Sequence, residues 1–86
     1  MPELTRFFGI RITMYFSDHN PPHFHAEYGD DEAVFGIQEL AVLEGQLSKR
    51  ATRLVLEWAA MHQAELMEAW NAASNNEAPG KISPLE

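Results

Sequence analysis

Between residues 10 and 16 apolar and polar positions alternate. Ile10, Ile12, Met14 and Phe16 fall on one side, Arg11, Thr13 and Tyr15 on the other. A period of two marks a strand with one buried face, because successive side chains point to opposite faces of a sheet. The run from Leu4 to Gly9 is also β-branched and aromatic, and its break at Gly9 predicts either two short strands or one strand bent at a bulge. Residues 17–22 cannot continue a ladder, since Pro21 and Pro22 donate no amide hydrogen and Pro21 holds Asn20 extended. Alternation returns over residues 23–28, with Phe24, Ala26 and Tyr28 on one face and His23, His25 and Glu27 on the other. Gly29-Asp30-Asp31 predicts a hairpin turn. Residues 32–37 and 40–44 predict two further strands, joined tightly near Gln38 and Glu39, and Gly45 ends the sheet.

The period then changes. Ser48 is suited to cap a helix, because its hydroxyl can accept an orphan amide hydrogen. Residues 49–73 are rich in Ala, Leu, Glu and Met and contain neither Gly nor Pro, which favours a helix throughout. Ala51, Val55, Trp58, Ala59, His62, Leu66, Trp70 and Ala73 recur at spacings of three and four and form one apolar stripe. The expected architecture is α+β: an antiparallel sheet of four or five strands with one long C-terminal helix packed on one face. At 1.5 Å per residue that helix would run about 37 Å, so its last turns are expected to project and to offer Leu66 and Trp70 to a partner. Residues 1–74 form one domain in this reading, and residues 75–86 a flexible tail.

Composition narrows the function. A chain of 86 residues makes one domain with a small core, and 45% hydrophobic against 22% charged residues places it among globular proteins. It has no cysteine, so disulfides and thiolate metal sites are excluded, and a reducing, cytoplasmic setting is expected. No apolar run approaches the roughly 18–20 residues of a membrane span, and the N-terminus lacks the basic and apolar pattern of a secretion signal. The net charge of −7 works against general nucleic-acid binding. The bases are clustered, however, with Arg6 and Arg11 early and Lys49, Arg50 and Arg53 at the helix start. Arg50 and Arg53 are therefore candidate partner contacts.

Three of the four histidines stand in the stretch S-D-H-N-P-P-H-F-H-A-E-Y-G, residues 17–29. His23 and His25 share one strand face and could reach a single ion. His19, across the proline loop, and Glu27, further along the face, complete a candidate ligand set, with Asp18 orienting an imidazole from behind. Imidazole and carboxylate donors suit a divalent transition metal, zinc or nickel foremost. The same histidines could instead act as general acid and base, with Arg11 or Arg6 holding a phosphate. A third possibility is that they hydrogen-bond to loop carbonyls and pin the turn. By parity the His23, His25 and Glu27 face should be uncovered, with His62 on the other side of the sheet as a hydrogen-bonded core residue. Histidine-triad hydrolases would need a histidine where Glu27 stands, and cupins need a longer chain.

R-F-F-G-I (residues 6–10), M-Y-F-S-D-H-N-P-P-H-F-H-A-E-Y-G (14–29), E-G-Q-L (44–47) and R-L-V-L-E-W (53–58) together resemble the small bacterial domain-of-unknown-function family 4160. Ser48 stands where that family often has a proline, and Gln38-Glu39-Leu40 where its hairpin usually carries a glycine. The resemblance implies no activity. It implies a context, in which a gene for a second small protein lies alongside in a toxin–antitoxin-like arrangement. Two functions follow as expectations. One is a protein-interaction module that pairs with that neighbour or with a second copy. The alternative is a ribonuclease-type toxin using His19, His23 and His25, with Arg11 or Arg53 as phosphate anchor.

Overall fold

In the computed structural model, which describes residues 2–86, the chain runs through five strands and two helices. The strands are β1 (Glu3–Phe7), β2 (Ile10–Thr13), β3 (His23–Tyr28), β4 (Asp31–Gly36) and β5 (Val42–Gly45). They form one sheet in the order β1-β2-β3-β4-β5, each antiparallel to the next. Phe8 and Gly9 both take positive φ, 47° and 79°, between the paired residues Phe7 and Ile10. The early apolar run is therefore two strands joined by a two-residue hairpin, whose left-handed centre matches the twist of the strands. Gly29 serves the β3–β4 turn in the same way, at φ 61° between Tyr28 and Asp31.

The alternation sorts the faces as expected as far as Met14, whereas Phe16, expected on the buried side, is exposed because β2 ends at Thr13. Ile10, Ile12, Met14, Phe24, Ala26, Ala33 and Phe35 are buried in one core. Phe24 stacks on Phe35 across β3 and β4, with ring centroids 5.4 Å apart, and meets Trp58 edge-on at 5.8 Å. Cross-strand aromatic contacts of this kind add to burial in holding a sheet. Trp58 belongs to α1 (Lys49–Met61), which Ser48 caps by accepting from the Ala51 amide at 3.1 Å.

The single long helix is not formed. It is split into α1 and α2 (Gln63–Ser74), with His62 between them at φ −126° and ψ 25°. The His62 amide donates to the Ala59 carbonyl three residues back, at 3.1 Å, which tightens the last turn and breaks the α-helical ladder. The reason lies in size. A straight helix over both segments would run about 39 Å, whereas the longest dimension of the molecule is 33 Å. Bending at His62 lets both halves of the apolar stripe reach the core. Leu66 and Trp70, expected on a projecting end, are buried at 0% and 5% exposure. Gln63 fixes the bend by donating to the Ile37 carbonyl at 2.7 Å.

Residues 75–86 have no helix or strand and lie against the domain. Ile82 is buried, and its amide donates to the Leu4 carbonyl at 3.0 Å. The Trp58 indole N–H donates to the Ser83 carbonyl at 2.8 Å. No helix among the described residues is long and apolar enough to cross a membrane.

Two glycines separate backbone strain from crowding. Gly29 and Gly45 both have positive φ, but a Cβ on Gly29 would meet nothing, while one on Gly45 would collide with the Glu32 carbonyl oxygen. Gly29→Ala is expected to cost about 1–2 kcal/mol, the left-handed penalty alone, and Gly45→Ala clearly more. Urea unfolding of both variants measures this, and equal costs would contradict the packing of β5 on β4.

Candidate metal centre

The alternation of β3 and the proline loop before it bring three side chains to one point. His23 and His25 project from the same face of β3, and Asp18 enters from the loop that the cis Asn20–Pro21 peptide shapes. One donor atom from each of Asp18, His23 and His25 lies within 4.8 Å of the others. Asp18 Oδ2 is 2.9 Å from His23 Nε2 and 3.9 Å from His25 Nε2.

The hydrogen bonds on the far side of each ring give this meeting its chemistry. His23 Nδ1 faces the Pro21 carbonyl at 2.7 Å, and a carbonyl only accepts, so Nδ1 carries a hydrogen and donates it. His25 Nδ1 likewise donates to Glu32 Oε2 at 3.1 Å. In both rings Nε2 is then the free nitrogen, and both are turned toward the Asp18 carboxylate. His25 Nε2 is buried without any hydrogen-bond partner. A buried polar atom without a protein partner takes its partner from a water or an ion. His23 Nε2 can meet the anionic oxygen as an imidazolium N–H, or as a lone pair that shares a cation with it. A lone pair facing a carboxylate with nothing between them would be repulsive. Imidazoles held through Nδ1 by a carbonyl or carboxylate are the usual support of metal-binding histidines. With bonds of 2.0–2.1 Å, tetrahedral ligands stand about 3.4 Å apart, so these three donors could hold a metal ion after small side-chain adjustments.

The surroundings keep the rings in place. Tyr15 packs edge-on against His25 at 4.4 Å, and Trp70 of α2 lies 5.0 Å from the His23 ring. Ser17 extends the link to α2, its amide donating to the Ala73 carbonyl at 3.0 Å. The expectation of an uncovered histidine face is thus corrected at His23, while His25 still lines an open cleft. His23 is 5% exposed because it starts β3 at the end of the sheet, where Trp70 reaches it.

Other candidates stand elsewhere. Glu27 is drawn away by Arg11, 3.1 Å across β2 and β3, and Arg11 is held by Glu3 as well at 3.2 Å. Glu27 therefore leaves the ligand set, and Asp18 takes the carboxylate position. His19 is 88% exposed at its side chain, with Nε2 3.7 Å from Asp18 Oδ1, outside the three-donor group. Arg6 pairs with Glu3 at 2.8 Å. Arg50 and Arg53 are exposed on α1, whereas Leu66 and Trp70 are inside the core. His62 pairs with Glu65 and packs on Trp58, apart from the cluster. Glu32 and Tyr15 were missed, although the β3–β4 hairpin sets Val34 opposite His25 and so makes Glu32 its diagonal neighbour on one face.

The class defined by these features is a small α+β domain with a histidine–aspartate cluster on one sheet face. The chain belongs to the family described as Domain of unknown function (DUF4160), whose model matches residues 9–71, from the β1–β2 turn to just past Trp70. No curated protein and no solved structure matches it.

Burial by itself would raise the Asp18 carboxyl, but the His19 amide at 2.8 Å and the His23 ring outweigh it, and the group lies below its ordinary value of 3.8. A carboxyl depressed by folding contributes stability that is present above the unfolded value and lost as pH falls through the folded one. In metal-free protein Asp18→Asn is therefore expected to be less stable than the parent at pH 7. The gap should close as pH drops below about 3.8, and urea denaturation across pH checks it. A gap that persists at pH 2 would assign the loss to packing instead.

Proposed function

We propose that this domain is a protein-interaction module that binds one divalent transition metal, zinc or nickel, through Asp18, His23 and His25. The observation that carries the reading is the pair of Nδ1 donors tied to Pro21 and Glu32, which turns both Nε2 atoms on one carboxylate oxygen. An ion held there joins the loop that carries Asp18 to the strand that carries both histidines, and so fixes the surface around it. Three protein ligands leave a position for water or for a partner's side chain, facing a cleft of about 400 Å³. The partner is a small protein encoded by a neighbouring gene, in a toxin–antitoxin-like pair, or a second copy of the chain.

The ribonuclease alternative has weaker support. The carboxylates lining the cleft are Asp18 and Glu44, no lysine or arginine lines it, and Arg11 is engaged by Glu3 and Glu27. Such a surface repels a phosphodiester.

Metal content after dialysis against zinc, read by native mass spectrometry, is expected to be one equivalent. His25→Ala and Asp18→Ala should abolish it, while Glu32→Ala should weaken affinity about 10–100-fold, as loss of a supporting hydrogen bond does. At a free metal concentration 100 times Kd the folded state should gain about 2.7 kcal/mol, seen as a higher Tm. Protein that leaves dialysis without zinc and melts unchanged would end the metal reading. Light scattering with the neighbouring gene's product tests the other half, and a monomer indifferent to that product would remove it.

A further inference from the structure

Among the described residues two buried side-chain polar atoms have no hydrogen-bond partner, His25 Nε2 and Thr13 Oγ1. They are neighbours. Thr13 and His25 stand directly opposite each other in the β2–β3 register, so both side chains rise on the face that carries the cluster. The next pair on that face, Arg11 and Glu27, closes on itself through an ion pair of 3.1 Å. Thr13 and His25 do not bond each other, and each keeps an unused polar atom.

The threonine is enclosed. Its exposure is 0%, and it is not among the residues that line the cleft beside the cluster, although His25 and Tyr15 are. The part of His25 that meets the cleft is not Nε2, which is buried. A buried hydroxyl without a partner is costly. Valine has the same branched shape and an equal liking for strands, and would leave nothing unpaired. The fold alone therefore gives no reason for an oxygen at this position.

We propose that the Thr13 hydroxyl holds a water molecule that completes the metal centre. Asp18, His23 and His25 supply three ligands, and zinc takes four. A water bound to the ion at about 2.0–2.2 Å and hydrogen-bonded to a hydroxyl at about 2.8 Å spans about 5 Å at most. That matches the scale of the β2–β3 pairing, in which directly opposed Cβ atoms stand about 4.5–5.5 Å apart. The ion satisfies His25 Nε2, and the water satisfies Thr13 Oγ1 by donating one of its two hydrogens to it. Thr13 makes no bond to the ion and is a positioning residue. The occupant is a water and not a partner's side chain, because the protein closes over Thr13. The inference rests on the metal reading and adds to it the residue that fixes the fourth ligand.

The test compares Thr13→Val and Thr13→Ser with the parent chain, each prepared with chelator and again with zinc. Competition against a chromophoric chelator is expected to show zinc held about 10–100-fold more weakly by the valine variant, the usual effect of losing a supporting hydrogen bond. Serine keeps the hydroxyl and should stay near the parent. With cobalt in place of zinc, the visible absorption should change shape in Thr13→Val and not in Thr13→Ser. Without metal the valine variant should melt above the parent, since it removes an unpaired hydroxyl, and with zinc it should melt below. Should Thr13→Val fail to fold, Thr13→Ala set against Thr13→Ser makes the same comparison of zinc affinity and cobalt spectrum. Equal zinc affinity and equal cobalt spectra in parent and valine variant would overturn the inference and leave the metal reading standing. An equal drop in melting temperature with and without zinc would also overturn it, because an ordinary buried water would then serve Thr13. A parent chain that takes up no zinc would end both.

Discussion

A five-stranded sheet is about 19 Å across at the usual strand spacing, and the helical sequence that follows it is twice as long as that. An unbroken helix would leave its last apolar residues in water. Burial of a large apolar side chain is worth about 1.5–3 kcal/mol, more than the cost of one broken helical turn when Leu66 and Trp70 are both at stake. The break at His62 follows from that inequality, and the rest of the molecule follows from the break. It turns α2 back so that Trp70 meets His23 and the Ala73 carbonyl meets the Ser17 amide. The loop and strand that carry the Asp18, His23 and His25 cluster are thereby fixed by the helix that the sheet was too small to hold straight.

The centre itself is decided by which nitrogen of each ring is occupied. Had Pro21 and Glu32 not taken the two Nδ1 hydrogens, either imidazole could present Nε2–H to Asp18 as an ordinary hydrogen bond, and the cluster would be a loop strut. With Nδ1 engaged on both rings, the neutral imidazoles have only lone pairs left for the carboxylate. His23 Nε2 lies 2.9 Å from Asp18 Oδ2, whereas His25 Nε2, at 3.9 Å, has no hydrogen-bond partner in the protein. A cation between the three, as proposed, would satisfy both rings at once.

Much of this was legible in the sequence because it depends on local periods. The strand 23–28, the Ser48 cap and the buried stripe of Ala51, Val55, Trp58, Leu66, Trp70 and Ala73 are each set by spacing within a few residues. The pairing of His23 with His25 on one face was legible for the same reason; Tyr15 was missed there, although its parity with Arg11 and Thr13 already put it on that face. What depends on three-dimensional competition was not. Glu27 has the right parity for a ligand, yet the β2–β3 register places Arg11 directly opposite and takes it. Nothing local marks His62 as a break, since neither Gly nor Pro is present. Its geometry answers the width of the sheet, which no window of helix residues contains.

Charge limits what the proposed ion can do. A divalent ion at the centre would offset Asp18, but Glu32, Glu39 and Glu44 still line the clefts around it. The surface stays anionic with the metal in place, so the ion does not convert the site into a receptor for phosphates. What it changes is rigidity. Asp18 lies on a loop, and an ion that linked it to β3 would fix one wall of the cleft beside it. Less ordering is then left for the moment of binding, which is how preorganisation raises affinity without adding a contact.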